Sequence, residues 1–237
     1  MRARVVYIFR NGEDSEAENG AEGLVHRLST RCGQIFCSNL KNGNVTKTQG
    51  KPEKELKVKV GAYLLFHANS PTGVMGMIAA EALCKTMLVV MGDNFKELEK
   101  VVFLACAIAP KTKDFDNGAH DPGKAIGYLM TFLLCLKDEG VYPRIAGYDN
   151  FVSLVPLQAS EKNPILTDTG NRDNELLDTE DYKVHAGRKV GRNKSNEWGL
   201  ARPKVGDKKS YSEAHKRVFY FKDGMIHVAD GGGWSDL

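Results

Sequence analysis

No stretch of this chain is apolar for long enough to cross a membrane as a helix, which sets the membrane-spanning class aside. Residues 1 to 10 place basic side chains before a short apolar run. That run ends after five residues with no small-residue cleavage site behind it, so it reads as a first strand and not as a secretion signal. Cysteine is sparse: Cys32, Cys37, Cys84, Cys106 and Cys135 make an odd count without short paired spacings. That usage argues against a disulfide scaffold or a zinc site and for a reducing, cytoplasmic compartment. No two of the six histidines have metal-ligand spacing on a helix, and no metal is expected. A Gly-x-Gly-x-x-Gly after the first strand and a Gly-Lys-Ser/Thr loop are both missing, which weakens dinucleotide-binding and nucleotide-hydrolase readings.

What is present is an ordinary globular composition. The 237 residues are 42% hydrophobic and 27% charged, enough for one sizeable core in a single domain over residues 1–237. Strand and helix patterns alternate through residue 155, in an α/β core over residues 1–158. Arg4 to Phe9 reads as a strand, and Ser15 with Glu18 makes a capping box for a helix that ends at Gly33. Gln34 to Thr48 reads as a hairpin turning at Asn42-Gly43. Val58 to Phe66 is the next strand, followed by an apolar helix over Val74 to Met91 closed by Gly92. An amphipathic piece, Asn94 to Lys100, leads to a strand over Val101 to Ala107. Pro110 to His120 reads as a loop, and Asp121-Pro122 opens a helix over Gly123 to Lys137. Strands follow at Arg144 to Tyr148 and Phe151 to Val155. The alternation implies an α/β three-layer sandwich around a mainly parallel sheet.

Charge divides the remainder. Ala159 to Tyr182 carries seven acidic residues against Lys162 and Arg172, a net of −5, and reads as an acidic loop over residues 159–182. Lys183 to Lys222 carries twelve basic residues against three acidic ones, a net of +9. Residues 183–237 therefore form a basic β region and tail, with strands expected at Tyr182 to Val190 and a hairpin of Lys216 to Phe221 with Met225 to Ala229 around Asp223-Gly224. Arg188, Lys189, Arg192 and Lys194 form a tight cluster that Lys208, Lys209, Lys216, Arg217 and Lys222 join if the strands pair. Such a concentration suits a polyanionic small molecule, and equally a plain solvated face.

Two polar residues stand out against this background. His67 closes the apolar run Leu64-Leu65-Phe66, and Cys106 closes Val101-Val102-Phe103-Leu104-Ala105, 39 positions further along the chain. A thiol is nucleophilic as its thiolate, and a neighbouring imidazole is the commonest means of forming one near neutral pH. Residues at the tips of buried parallel strands emerge where open α/β sheets place their ligands. Each residue also has a structural reading, as a buried small residue and a satisfied strand-end histidine. Asn69 and Asp116 are candidates to orient the imidazole.

The order strand, His67, loop, helix, strand, Ala105-Cys106 resembles the caspase-like, or clan CD, cysteine peptidases. It most resembles the autoprocessing protease domains of MARTX and large clostridial toxins. The resemblance implies a caspase-like fold with a C-terminal β-hairpin or flap region, and a thiol protease acting on protein or peptide substrates through Cys106 and His67. It also implies an oxyanion hole from the backbone N–H groups of Ala68 and Cys106, no cofactor for the chemistry, and inositol hexakisphosphate as activator. Arg188, Lys189, Arg192, Lys194, Lys216 and Arg217 would hold that activator. A bacterial effector delivered into a host cytosol is the implied setting, and nucleic acid is not an expected partner. One departure matters: the family carries glycine after the histidine, and this chain has Ala68, which keeps the N–H but loses access to positive φ. The alternative is an inactive caspase-like module binding polyphosphate, phosphoinositide or nucleic acid through the basic region.

Overall fold

Runs in which nearly every residue is buried form the centre of this fold, because a parallel strand covered on both faces has no solvent side. The computed structural model describes residues 4–13, 17, 21, 24–25, 28, 32–41, 44–49, 59–66, 74–75, 78–105, 108–109, 116–124, 127–149, 151–156, 182–187 and 216–231. The strands are β1 (Arg4–Asn11), β2 (Gln34–Lys41), β3 (Asn44–Gln49), β4 (Lys59–Leu65), β5 (Val74–Met75), β6 (Ile78–Ala79) and β7 (Leu98–Leu104). They continue with β8 (Gly118–His120), β9 (Arg144–Tyr148), β10 (Phe151–Pro156), β11 (Tyr182–Gly187), β12 (Lys216–Lys222) and β13 (Met225–Asp230). Nine of them build one sheet in the order β3-β2-β1-β4-β7-β9-β12-β13-β8. Its centre, β2-β1-β4-β7-β9, is parallel throughout. Antiparallel strands flank that centre on both sides.

Alternate residues of the central strands feed two separate cores. Val5, Tyr7, Ala62, Leu64, Val101 and Phe103 face the helices Ala80–Met91 and Tyr128–Asp138. Val6, Ile8, Tyr63, Leu65, Val102 and Leu104 face the helical residues Ala17, Ala21, Leu24 and Leu28. Helices on both faces of a mixed sheet make the α/β three-layer sandwich that the strand and helix alternation implies. Each large apolar side chain so buried contributes about 1.5–3 kcal/mol.

The helices follow from spacing. In Ala80–Met91 the buried residues are Ala80, Leu83, Cys84, Met87 and Met91, one face of a 3.6-residue period, and Gly92 closes it at φ 55° with its N–H on the Leu88 carbonyl. The sequence pattern extends this helix back to Val74, but residues 74–75 and 78–79 pair as a short antiparallel ladder instead. The next helix also starts later than Asp121-Pro122 suggests. Asp121 caps only a single 3₁₀ turn over Pro122–Lys124, its Oδ1 accepting the Gly123 N–H at 2.9 Å. Gly127 then takes φ 78°, outside the helical region, and Tyr128 begins the α-helix. Its end is a Schellman turn: Gly140 at φ 76° donates to Lys137, and Val141 donates to Leu136.

The hairpins form where their turn residues lie. Lys41 pairs with Asn44 across the Asn42-Gly43 dipeptide. Asp223 and Gly224 adopt φ 52° and 77°, the positive values of a type I′ turn, between Lys222 and Met225. The C-terminal hairpin is not set apart as a flap, because β12 pairs with β9 and so extends the central sheet. The expected loop Pro110 to His120 ends in an edge strand, β8, which pairs with β13. β11 pairs with β10 in a separate two-stranded sheet.

Phe103 is the keystone of the larger core, packed edge-to-face on Phe132 at 5.1 Å and on Tyr128 at 6.0 Å. Phe103→Ala should remove about 3–5 kcal/mol from the unfolding free energy measured in urea. Val45→Ala at the exposed edge should change it by no more than about 0.5 kcal/mol.

Candidate active site

The carboxyl ends of the parallel strands set the geometry. β4 and β7 are direct neighbours and run in step from Gly61↔Lys100 to Leu65↔Leu104, after an irregularity beside Val60. Leu65 and Leu104 are therefore level, and the residues that follow them, Phe66 and Ala105, are both buried. His67 is the second residue beyond Leu65, and Cys106 the second beyond Leu104. His67, Ala68, Asn69 and Cys106 themselves lie outside the described residues, as do Arg188, Lys189, Arg192 and Lys194.

The chain just beyond Cys106 is anchored. Ile108 and Ala109 are fully buried, and the Ala109 N–H donates to the Tyr148 carbonyl at 3.0 Å, which ties this segment to the end of β9. Gly147 makes the approach possible. A Cβ there would stand 2.6 Å from Leu129 Cδ1 and 2.8 Å from Ile108 Cγ2. A glycine inside an otherwise apolar strand is a sequence sign of such close approach.

Next along the same edge lies a group of charges that the sequence reading did not assemble. Arg217 is 1% exposed and Lys216 4% exposed, at the start of β12. The Arg217 Nη2 donates to Asn117 Oδ1 at 3.0 Å. Burial pushes its pKa down, and the carboxylates of Asp230, Asp149 and Asp116 pull it back up. The Lys216 ammonium lies 5.7 Å from the centre of the Tyr148 ring. Lys216 and Arg217 are thus interior charges, whereas Lys222, five and six positions on, is exposed. Asp116 is exposed, and its carbonyl oxygen lies 2.7 Å from His120 Nε2. Asn117 and Arg217 are 100 residues apart, and no local pattern in the sequence links them.

The four described thiols are free, and burial holds three of them in the protonated form. Cys84 is pushed up to about 12 by burial, with Cys135 and nearby carboxylates adding to the effect. Burial likewise raises Cys37 to about 11 against a small opposing pull from Arg10, and it raises Cys135 as well. None of these has the depressed pKa of a nucleophilic cysteine. Among the described residues no group of three or more His, Cys, Asp or Glu is placed to hold a metal ion. Nor is any described helix long and apolar enough to cross a membrane.

No protein-family model matches the sequence, and no curated protein does. Among solved structures, the chain is similar to a secreted C11 cysteine protease from Bacteroides thetaiotaomicron, in complex with an irreversible peptide inhibitor. The TM-score is 0.36 and the identity 9%, over 72% of this chain. The chain spans 55% of the length of that protease.

Alkylation of the native protein provides a direct measure of the thiols. At pH 7.5 iodoacetamide should leave Cys37 and Cys84 unmodified on the timescale that alkylates a free thiol. Raising the pH towards 11 should speed Cys37 before Cys84, because Arg10 opposes the effect of burial at Cys37 whereas Cys135 and nearby carboxylates add to it at Cys84. Peptide mass mapping reads both.

Proposed function

We propose that this chain is a cysteine peptidase of caspase-like architecture, with Cys106 as nucleophile and His67 as its acid–base partner. The observation that carries the reading is the level pairing of Leu65 with Leu104 on adjacent parallel strands. Each strand is followed by one buried residue, Phe66 or Ala105, and the next residue in sequence is the histidine in one case and the cysteine in the other. The carboxyl ends of its parallel strands are where an open α/β sheet accepts its ligand.

The chemistry is acyl transfer. The Cys106 thiol gives its proton to the His67 imidazole, and the thiolate adds to the carbonyl carbon of a peptide bond. The resulting oxyanion accepts hydrogen bonds from the backbone N–H groups of Ala68 and Cys106. The C–N bond breaks as the imidazolium protonates the leaving amine, which departs as the new amino terminus. Water, deprotonated by His67, then hydrolyses the thioester to the carboxylic acid and restores the thiol. Ile108, Ala109 and Gly147 serve by holding the cysteine loop against β9.

Self-cleavage within the acidic stretch 159–182 and activation by inositol hexakisphosphate belong to the same proposal. The activator would be held by Arg188, Lys189, Arg192 and Lys194. Lys216 and Arg217, buried at the sheet edge, contribute from inside and not as surface ligands. Proteins or peptides are the substrates, and cytoplasm, including that of a host cell, the setting.

A peptide acyloxymethyl ketone, which alkylates an activated thiolate, tests the dyad. It should label Cys106 alone in the native protein, and His67→Ala should slow labelling by about 10²-fold or more. Cys106→Ala should abolish both labelling and any processing band. Labelling spread over several cysteines, or unaffected by His67→Ala, rejects the dyad.

The inactive-module reading is favoured by Ala68 in particular, and one substitution separates the two. If the turn after His67 needs positive φ, Ala68→Gly should raise kcat while leaving KM within about twofold, measured on a fluorogenic peptide.

A further inference from the structure

Arg217 belongs to a row of level positions that crosses the sheet on the face of the larger core. Leu64 pairs with Phe103, Gly147 with Arg217, and Arg217 with Asp230. Continuing the β7–β9 register from Val102↔Ala146 sets Phe103 beside Gly147, and continuing β13–β8 from Val228↔Gly118 sets Asp230 beside Asp116. Ile145, Phe219 and Val228 each lie two residues from a member of the row on its own strand. All three belong to the larger core, so alternation puts the row on that face.

Gly147 leaves a gap in the row between Phe103 and Arg217, each one strand spacing or about 4.8 Å away. The segment after Cys106 enters that gap. Ile108 Cγ2 and Ala109 Cβ would stand 2.8 Å and 3.3 Å from a Cβ at Gly147, with Leu129 Cδ1 at 2.6 Å, and the Ala109 N–H donates to the Tyr148 carbonyl. The positions of Phe103 and Arg217 thus flank the slot that receives residues 108 and 109.

The same arginine holds the far end of that connection. Its Nη2 donates to Asn117 Oδ1 at 3.0 Å, and Asn117 is the residue before β8, the next strand along the chain after β7. At 1% exposed, Arg217 has no surface to offer a substrate. Its charge serves groups of this chain: Asp230 across the ladder, Asp116 beside Asn117, and Asp149, which follows the residue whose carbonyl accepts from Ala109. Asp116 and Asp230 are exposed and Asp149 is half-buried. Lys216, the other buried cation of this edge, falls on the opposite face by alternation.

We propose that Arg217 is a positioning residue for the nucleophile. It flanks residues 108–109 and ties Asn117, so one buried side chain pins the connection that carries Cys106 at two places. The role rests on Cys106 being the nucleophile, and it gives Arg217 no contact with substrate.

Replacing an arginine this buried endangers the fold, so the tie is best cut from its exposed end. Asn117→Ala does so, and circular dichroism should show the variant folded. Hydrogen exchange at the Ala109 amide, read by NMR, should speed up by about tenfold or more while the central strands keep their protection. Labelling of Cys106 by the peptide acyloxymethyl ketone should slow by about tenfold or more, and kcat on the fluorogenic peptide should fall with KM within about twofold. Asn117→Asp, which keeps the accepting oxygen, should restore the slow exchange and the fast labelling. Unchanged exchange at Ala109 overturns the tie whatever the chemistry at Cys106. Faster exchange with unchanged labelling and kcat overturns the positioning role and leaves the peptidase reading standing. A wild-type protein whose Cys106 the ketone does not label overturns the peptidase reading, and the positioning role falls with it.

Discussion

The parallel pairing of β4 with β7 is the constraint on which the rest of the molecule turns. Both strands are buried on both faces, so each side chain is committed to one of two cores. Sliding either strand by a single residue would exchange all of its commitments, sending Leu64 of β4 to the side meant for Leu65, or Phe103 of β7 to the side meant for Leu104. Register is therefore held by the packing of the whole sandwich as well as by the ladder of hydrogen bonds. That is why the two strands finish level, with Phe66 and Ala105 both buried just beyond them.

Charge at this end of the sheet obeys a different rule. An arginine as buried as Arg217 persists because Asn117 accepts its hydrogen bond and three aspartates lie in its field. Close backbone contacts help to bring these pieces together. Gly147 admits Ile108 and Ala109, and Gly231 admits the Lys216 side chain and donates to the Lys216 carbonyl at 2.7 Å. Apolar burial sets the strands, and the glycines let the polar ends of those strands meet.

Much of this was legible from local pattern. The hairpin at Asp223-Gly224, the closure at Gly92 and the strand at Arg144 to Tyr148 each carry a short-range signal whose physical cause operates within a few residues. The misreadings have a common origin. Val74 to Ala79 is apolar enough to be read as helix, yet residues 74–75 pair with 78–79 in a small ladder. Gly118 to His120 carries no strand signal of its own and is ordered by the edge of β13. Lys216 and Arg217 looked like members of a basic surface because charge counted along the chain does not say which way a strand faces.

The amino-acid order by itself determined the alternation of strands and helices, the double-sided burial of the central strands and the placing of His67 and Cys106 two residues beyond them. Those features arise from periodicity and turn chemistry, which act between near neighbours. Only the tertiary structure decided that β4 lies against β7, that the C-terminal hairpin completes the central sheet, and that Arg217 meets Asn117 while Tyr220 stacks between Arg144 and His227. Each of these joins residues distant along the chain, and such contacts form only when closing a long loop is repaid by burying two complementary surfaces at once.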